Sequence, residues 1–231
     1  DVQSLLSRTE EDKELRIGLL FKSSSHIMTG KQRWNISSNL IEYTPKRITI
    51  DDFLITSGAQ KLHVDGTLAG GKDDTLRLAL DEFSIRPLNS IAGLPEGTVR
   101  GSLDGSATLI SGMKDPILIA DIMMDSLSMN GYTAPRLRLN SAWDFATERA
   151  GLSLVNTADG KTLVRGFYRP DTNSYAATVD IDGIPLAAAN PFLPADVIHS
   201  VEGTTALYLE LRGSKGMPKM NGTLSVSDFS T

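Results

Sequence analysis

Leu76-Arg77-Leu78-Ala79-Leu80-Asp81 alternates leucine with charged or small residues, and this period of two decides the fold. In an extended chain successive side chains point to opposite faces, so the three leucines share one face and Arg77, Ala79 and Asp81 the other. The same period returns in Leu15, Ile17, Leu19 and Phe21, and in Leu207, Leu209 and Leu211 interleaved with Tyr208, Glu210 and Arg212. Between such runs stand Asp65-Gly66, Asp104-Gly105, Asn130-Gly131, Asp159-Gly160, Asp182-Gly183 and Asn221-Gly222. Both residues of these pairs tolerate positive φ, which suits tight turns or bulges inside strands. The chain reads as an antiparallel, all-β meander.

The hexapeptide belongs to a longer stretch that recurs about a hundred residues later in the same order of residue types. Its first copy runs through Leu62-His63-Val64-Asp65-Gly66, Leu76 to Asp81, Arg86-Pro87-Leu88, Leu94-Pro95, Gly101-Ser102-Leu103-Asp104-Gly105 and Lys114-Asp115-Pro116. The second runs through Leu163-Val164-Arg165-Gly166, Ala176-Ala177-Thr178-Val179-Asp180-Ile181, Ile184-Pro185-Leu186, Leu193-Pro194, Val201-Glu202-Gly203 and Gly216-Met217-Pro218. Repetition of this kind implies two tandem units that present a long surface instead of focusing chemistry at a point. The expected organisation is a lead-in over residues 1–14, a first β repeat with its N-terminal strands over 15–130, and a second repeat continuing the same sheet over 131–231. Val2 to Glu14 reads as a frayed polar helix or a disordered lead-in. Short helices are expected at Arg86-Pro87-Leu88-Asn89-Ser90-Ile91-Ala92-Gly93 and at Leu186-Ala187-Ala188-Ala189-Asn190, where proline stands near the start and Gly or Asn-Pro at the stop. A further short turn is expected from Ala195 to His199.

Composition excludes several function classes. With 28 Asp and Glu against 23 Lys and Arg, the chain has no basic stripe to release counterions from nucleic acid. It has no cysteine, hence no disulfide framework and no thiolate chemistry, which fits the cytosol and a bacterial periplasm equally. Its longest uncharged apolar runs fall short of the twenty or so residues that span a bilayer, and none forms a signal peptide. Asp1 is no initiator and Asp228-Phe229-Ser230-Thr231 still reads as strand, so a piece of a longer protein is expected.

The apparent chemical motifs dissolve on inspection. Gly66-Thr67-Leu68-Ala69-Gly70-Gly71-Lys72 has the spacing of a phosphate-binding loop, but Asp73 stands where the magnesium-holding hydroxyl belongs and the next segment alternates like a strand. A polar hairpin is expected there. Asp180-Ile181-Asp182-Gly183 resembles half of a calcium loop without its third ligand position or distal Glu. His26, His63 and His199 lie far apart with no metal-ligand spacing, and His63 falls on the polar phase of its strand. Asp51-Asp52 and Asp73-Asp74 are expected in solvated turns rather than as an acid/base pair. Asn35-Ile36-Ser37 and Asn221-Gly222-Thr223 match a glycosylation pattern that is short enough to arise by chance. No catalytic residue, metal ligand or cofactor is expected.

What the chain does carry is an aliphatic stripe on one phase of many strands, with few aromatic residues to fill a thick core. In a sandwich that stripe faces a second sheet, whereas in an open curved sheet it lines a groove that demands a lipid or partner chain. Periodicity alone does not separate the two.

The order of Trp34 and Ile36, Arg47-Ile48-Thr49-Ile50-Asp51-Asp52-Phe53, Leu62 to Gly66, Leu76 to Asp81, Gly101 to Gly105 and Pro116 resembles the TamB family, and most closely its Bacteroidetes-type members. These translocation and assembly module proteins group with AsmA-like, bridge-like lipid-transfer proteins of the bacterial envelope. The resemblance extends from about Leu15 to the end of the chain. It implies a bent, taco-shaped antiparallel sheet whose concave face is an aliphatic groove, in a periplasmic protein tethered to the inner membrane by an N-terminal helix absent from this sequence. It implies phospholipid acyl chains as cargo and an Omp85-type outer-membrane barrel as partner of the full-length protein. The groove positions would correspond to Leu76, Leu78, Leu80, Val179, Ile181, Leu207, Leu209 and Leu211.

Three function classes follow. The first is a non-enzymatic conduit holding alkyl chains by area-proportional burial. The second is a scaffold that assists assembly or secretion of outer-membrane β-barrel proteins by strand addition. The third, a carbohydrate-active or other β-solenoid enzyme, lacks convergent acid, base or metal groups in the sequence.

Overall fold

Alternation becomes strand along most of the chain. The computed structural model describes residues 2–8, 15–29, 31–71, 74–87, 89, 93–95, 97–110, 117–188, 201–214 and 218–230. Among these residues the strands are β1 (Val2–Arg8), β2 (Leu15–Phe21), β3 (His26–Thr29), β4 (Gln32–Ser37), β5 (Leu40–Thr44), β6 (Arg47–Ser57), β7 (Gln60–Leu68), β8 (Thr75–Ser84) and β9 (Val99–Ile110). They continue as β10 (Ile117–Met129), β11 (Tyr132–Thr133), β12 (Leu137–Asp144), β13 (Arg149–Asn156), β14 (Thr162–Arg169), β15 (Ser174–Pro185), β16 (Glu202–Ser214) and β17 (Lys219–Ser230). All join one antiparallel sheet that is open rather than closed into a barrel. The chain divides into two compact units, Asp1–Phe83 with Asp104–Asp121, and Ser84–Leu103 with Ile122–Thr231.

In the first unit β1 pairs with β2, β2 with β5, β5 with β6, β6 with β7 and β7 with β8. β6 is long enough to take two partners along one edge. Its first half pairs with β5, and Leu54 to Thr56 pair with Ser37 to Asn35 of β4. Residues 2–8 are therefore a strand in register with β2, not the helix or lead-in expected from their irregular pattern. In the second unit β12 to β17 pair in chain order.

The Asp-Gly and Asn-Gly pairs divide by role. Asn130-Gly131, with φ of 46° and 82°, turns the chain between β10 and β11 as a two-residue hairpin requires. Asp159-Gly160 lies in the β13–β14 connection. Asp182-Gly183 is a bulge in β15, where the register with β16 shifts. Asp65-Gly66, Asp104-Gly105 and Asn221-Gly222 sit inside strands.

Two of these explain a repeated local device. Asp52 has φ of 52° where the β6–β7 register shifts, and its N–H donates to Asp65 Oδ1 at 3.3 Å. Glu82 has φ of 44°, and its N–H donates to Asp104 Oδ1 at 2.7 Å. A bulge frees an amide from the ladder, and an aspartate on the following strand takes it up. Asp51-Asp52 is thus a bulge within β6, not the expected turn.

Related geometry returns in the second unit. Ser126 (φ 52°) lies across from Gly101 (φ 143°), and Asp228 (φ 54°) across from Gly203 (φ 127°). The same sequence offset separates the two serine/aspartate positions and the two glycines. A Cβ on Gly203 would stand 2.7 Å from the Ser227 carbonyl oxygen, and one on Gly101 would stand 3.0 Å from that of Asp125. Only glycine allows these close approaches.

Helix is nearly absent from the described residues. Residues 186–188 make a single 3-10 turn where a short helix is expected, and 189–190 lie outside the described residues. Of the other expected helix, residues 88 and 90–92 lie outside them, as does the whole of 195–199. Asn89 itself is buried and joins the start of β9 by its side chain. Its Nδ2 donates to the Val99 carbonyl at 2.7 Å, and its Oδ1 accepts the Val99 N–H at 2.8 Å. Lys72 and Asp73, where the loop motif ends, also lie outside the described residues, but β7 and β8 pair as the hairpin expected there.

Candidate functional site: an open apolar sheet face

Register decides which side chains share a face. In the second unit Leu139 stands opposite Leu154, Leu154 opposite Val164, Val164 opposite Val179, and Val179 opposite Leu209. The adjacent row runs Leu152, Gly166, Ala177, Leu211, Met220, and a third joins Ile181, Leu207 and Leu224. Two-residue periodicity puts all three rows on one side of the sheet. That side is largely apolar across six strands.

Its cover is uneven: Leu137, Ser141 and Ala150 of β12 and β13 are buried on this side, and the rows beyond them are less covered. Val179, Ile181, Leu207, Leu209 and Leu211 are each half-buried. Met220 and Leu224 are both 66% exposed. Among the described residues of this unit, strands pack chiefly against their hydrogen-bonded neighbours. A sandwich core would bury such leucines almost completely.

One end of the unit is drawn inward. β10 pairs with β12, so four interstrand steps separate β10 from β15, about 19 Å in a flat sheet. Yet Asn130, just past β10, donates from Nδ2 to the carbonyl of Ala187, two residues past β15. The turn that makes this link rises only about 2 Å per residue. The unit curls at this end, and Ala188 is buried there.

In the first unit, Leu76 stands opposite Gly66, Leu78 opposite Val64, and Leu80 opposite Leu62. Their rows continue through Ile50, Phe53 and Ile55 of β6. Leu76 and Leu78 are half-buried, but Leu80 is only 5% exposed. Trp34, Ile36 and Leu80 form the buried part of this face, and the Trp34 ring stacks at a tilt on Phe83 with centroids 5.6 Å apart. The eight residues expected to line a groove thus form two groups, three in the first unit and five in the second. Leu139, Leu152, Leu154, Val164, Met220 and Leu224 share the second group's face without having been singled out from sequence. Leu152-Ser153-Leu154 carries the same alternation as Leu76 to Asp81, so that signal was present.

The opposite face is polar. Lys161 Nζ reaches Asp182 Oδ2 at 2.5 Å and Asp180 Oδ1 at 3.1 Å, and these carboxylates, Asp182 foremost, hold the ammonium above its usual pKa. Tyr208 donates from its hydroxyl to Glu210 at 2.8 Å, which raises the phenol's pKa. His63 on β7 lies 2.8 Å from the bulge residue Asp52. Among the described residues no three His, Cys, Asp or Glu converge to hold a metal ion. Among the described residues no helix is long and apolar enough to cross a membrane.

The chain matches no protein-family model, no curated protein and no solved structure.

Proposed function

We propose that this chain is a non-enzymatic segment of a TamB/AsmA-like envelope protein, whose apolar sheet face holds phospholipid acyl chains in transit between inner and outer membranes. The observation that carries this reading is the largely apolar face of the second unit, aligned by register over six strands, incompletely buried along most of its rows and exposed at β17. An exposed apolar patch of that extent calls for an apolar occupant. Each methylene withdrawn from water onto such a surface contributes about 0.8 kcal/mol, with no need for residue-specific chemistry. On this reading the protein works in the periplasm, tethered to the inner membrane, with an Omp85-type barrel as partner of the full-length protein.

Native mass spectrometry and lipid extraction of the purified chain test it. Co-purified phospholipid, displaced by competing detergent, is the expected result. A lipid-free chain that fails to take up phospholipid from vesicles would remove the reading.

A second reading, strand addition to nascent outer-membrane proteins, is favoured by β17. Every residue of this strand is exposed, and among the described residues it pairs only with β16. Crosslinks from β17 to an unfolded barrel protein, in the absence of bound lipid, would favour this scaffold role.

A further inference from the structure

The polar face of the second unit contains a hollow that the acyl-chain reading does not use. Across β12 to β15 the register aligns Ala142, Gly151, Phe167 and Ala176 in one row. Three of the four have almost no side chain, so the sheet backbone is open to close approach there and the Phe167 ring stands as a wall. The depression measures about 470 Å³. That is the size of a small-molecule site.

Two guanidinium groups border it. Arg149 lies over the Phe167 ring at 5.1 Å, which fixes its position by cation–π contact. Arg165 comes from the neighbouring row, between Ser153 and Thr178. It is exposed, and among the described residues it has no carboxylate partner. The carboxylate nearest Arg149 is Asp144, at the outer limit of an ion pair, 4.0 Å. Planar forked donors of this kind recognise carboxylate and phosphate oxygens in pairs.

We propose that this hollow is a binding site for a small ligand with an anionic group, carboxylate or phosphate, on a flat apolar body. The body lies on the Ala142–Gly151–Ala176 floor against Phe167. The anion takes Arg165, with the Ser153 and Thr178 hydroxyls beside it. Neither part alone uses the whole site, because the floor offers no charge and Arg165 offers no apolar area. This site lies on the face opposite the aliphatic rows and does not depend on them.

Gly151 provides a clean test. Its φ is not in the left-handed region, and a Cβ there would meet only the Ala142 carbonyl oxygen, at 3.8 Å. Gly151→Val therefore fills the floor without straining the backbone. Arg165→Gln removes the exposed charge with no packing change.

Phenyl phosphate, inorganic phosphate and benzyl alcohol are titrated by calorimetry into the full chain and both variants. Circular dichroism and thermal unfolding establish that each variant is folded. The proposal expects phenyl phosphate to bind about tenfold more tightly than either part, and each substitution to weaken it about tenfold. Inorganic phosphate should weaken with Arg165→Gln but not with Gly151→Val. Equal binding of phenyl phosphate and inorganic phosphate, indifference to Gly151→Val in a folded variant, or no binding of phenyl phosphate at millimolar concentration would each overturn the site.

Discussion

Val179 and Leu209 stand directly opposite each other on β15 and β16, and the next residue in their row, on β17, is Gly222. The pair therefore has a side chain on one flank and open backbone on the other. Both are half-buried. An aspartate at either position keeps much of its hydration in the unoccupied protein, so the expected stability loss is about 1–2 kcal/mol, well below the cost of full ionic burial. An acyl chain seated on the row would have to strip that hydration. Leu209→Asp and Val179→Asp should fold and lose bound phospholipid, while Tyr208→Asp on the opposite phase retains it. Urea unfolding paired with lipid extraction separates these outcomes, and unfolding of both variants would mean that the face is a closed core.

The aspartate-capped bulges give a second prediction. Asp104 accepts the Glu82 N–H that the bulge releases. Asp104→Ala leaves that amide to water, because the site is exposed, so a loss of about 0.5–1.5 kcal/mol is expected. Asp104→Asn keeps an acceptor oxygen in place and should recover most of it. The urea midpoint should shift with its slope unchanged.

How much of this was legible beforehand differs by feature. Leu76, Leu78 and Leu80 declare their common face because alternation is a local property of the chain. What covers that face is not local, so periodicity leaves sandwich and groove equally open, and Leu80 proves buried on the same face as Trp34 and Ile36, residues distant from it in sequence. Asp65-Gly66 has the composition of a turn, but Asp65 answers a bulge on β6, and nothing near residue 65 reports that. Val2 to Arg8 does not alternate cleanly and becomes strand only because β2 offers a matching edge. The hollow beside Phe167 has no local signature for a similar reason, since Ala142, Gly151 and Ala176 come together only through register.

The glycines should separate sharply under substitution. Gly203 has φ of 127° and a Cβ site 2.7 Å from the Ser227 carbonyl oxygen. Gly203→Ala combines strain with a clash against backbone and should cost about 2–3 kcal/mol. Gly151→Ala meets only an ordinary contact and should be neutral or stabilising by up to about 1 kcal/mol, through the loss of unfolded-state freedom. Thermal unfolding of the two variants side by side measures the difference.

Acid titration tests the turn between β12 and β13. Asp144 accepts the Thr147 hydroxyl at 2.5 Å and the Ala146 N–H at 2.9 Å, and these bonds, the hydroxyl first, hold its carboxyl below the usual pKa. Hydrogen bonds to the carboxylate favour the ionised form in the folded chain only. A depressed folded pKa adds stability that is fully present above the unfolded value and is lost as pH falls through the folded one. The window therefore opens at the ordinary aspartate range and extends to more acidic pH. Carbon-detected NMR should place the Asp144 midpoint below that of an unstructured aspartate. Thr147→Val removes the largest cause, so the midpoint should move up toward the ordinary value while the shift due to the Ala146 amide remains. A midpoint unmoved by Thr147→Val would assign the depression to the backbone amides of the turn instead.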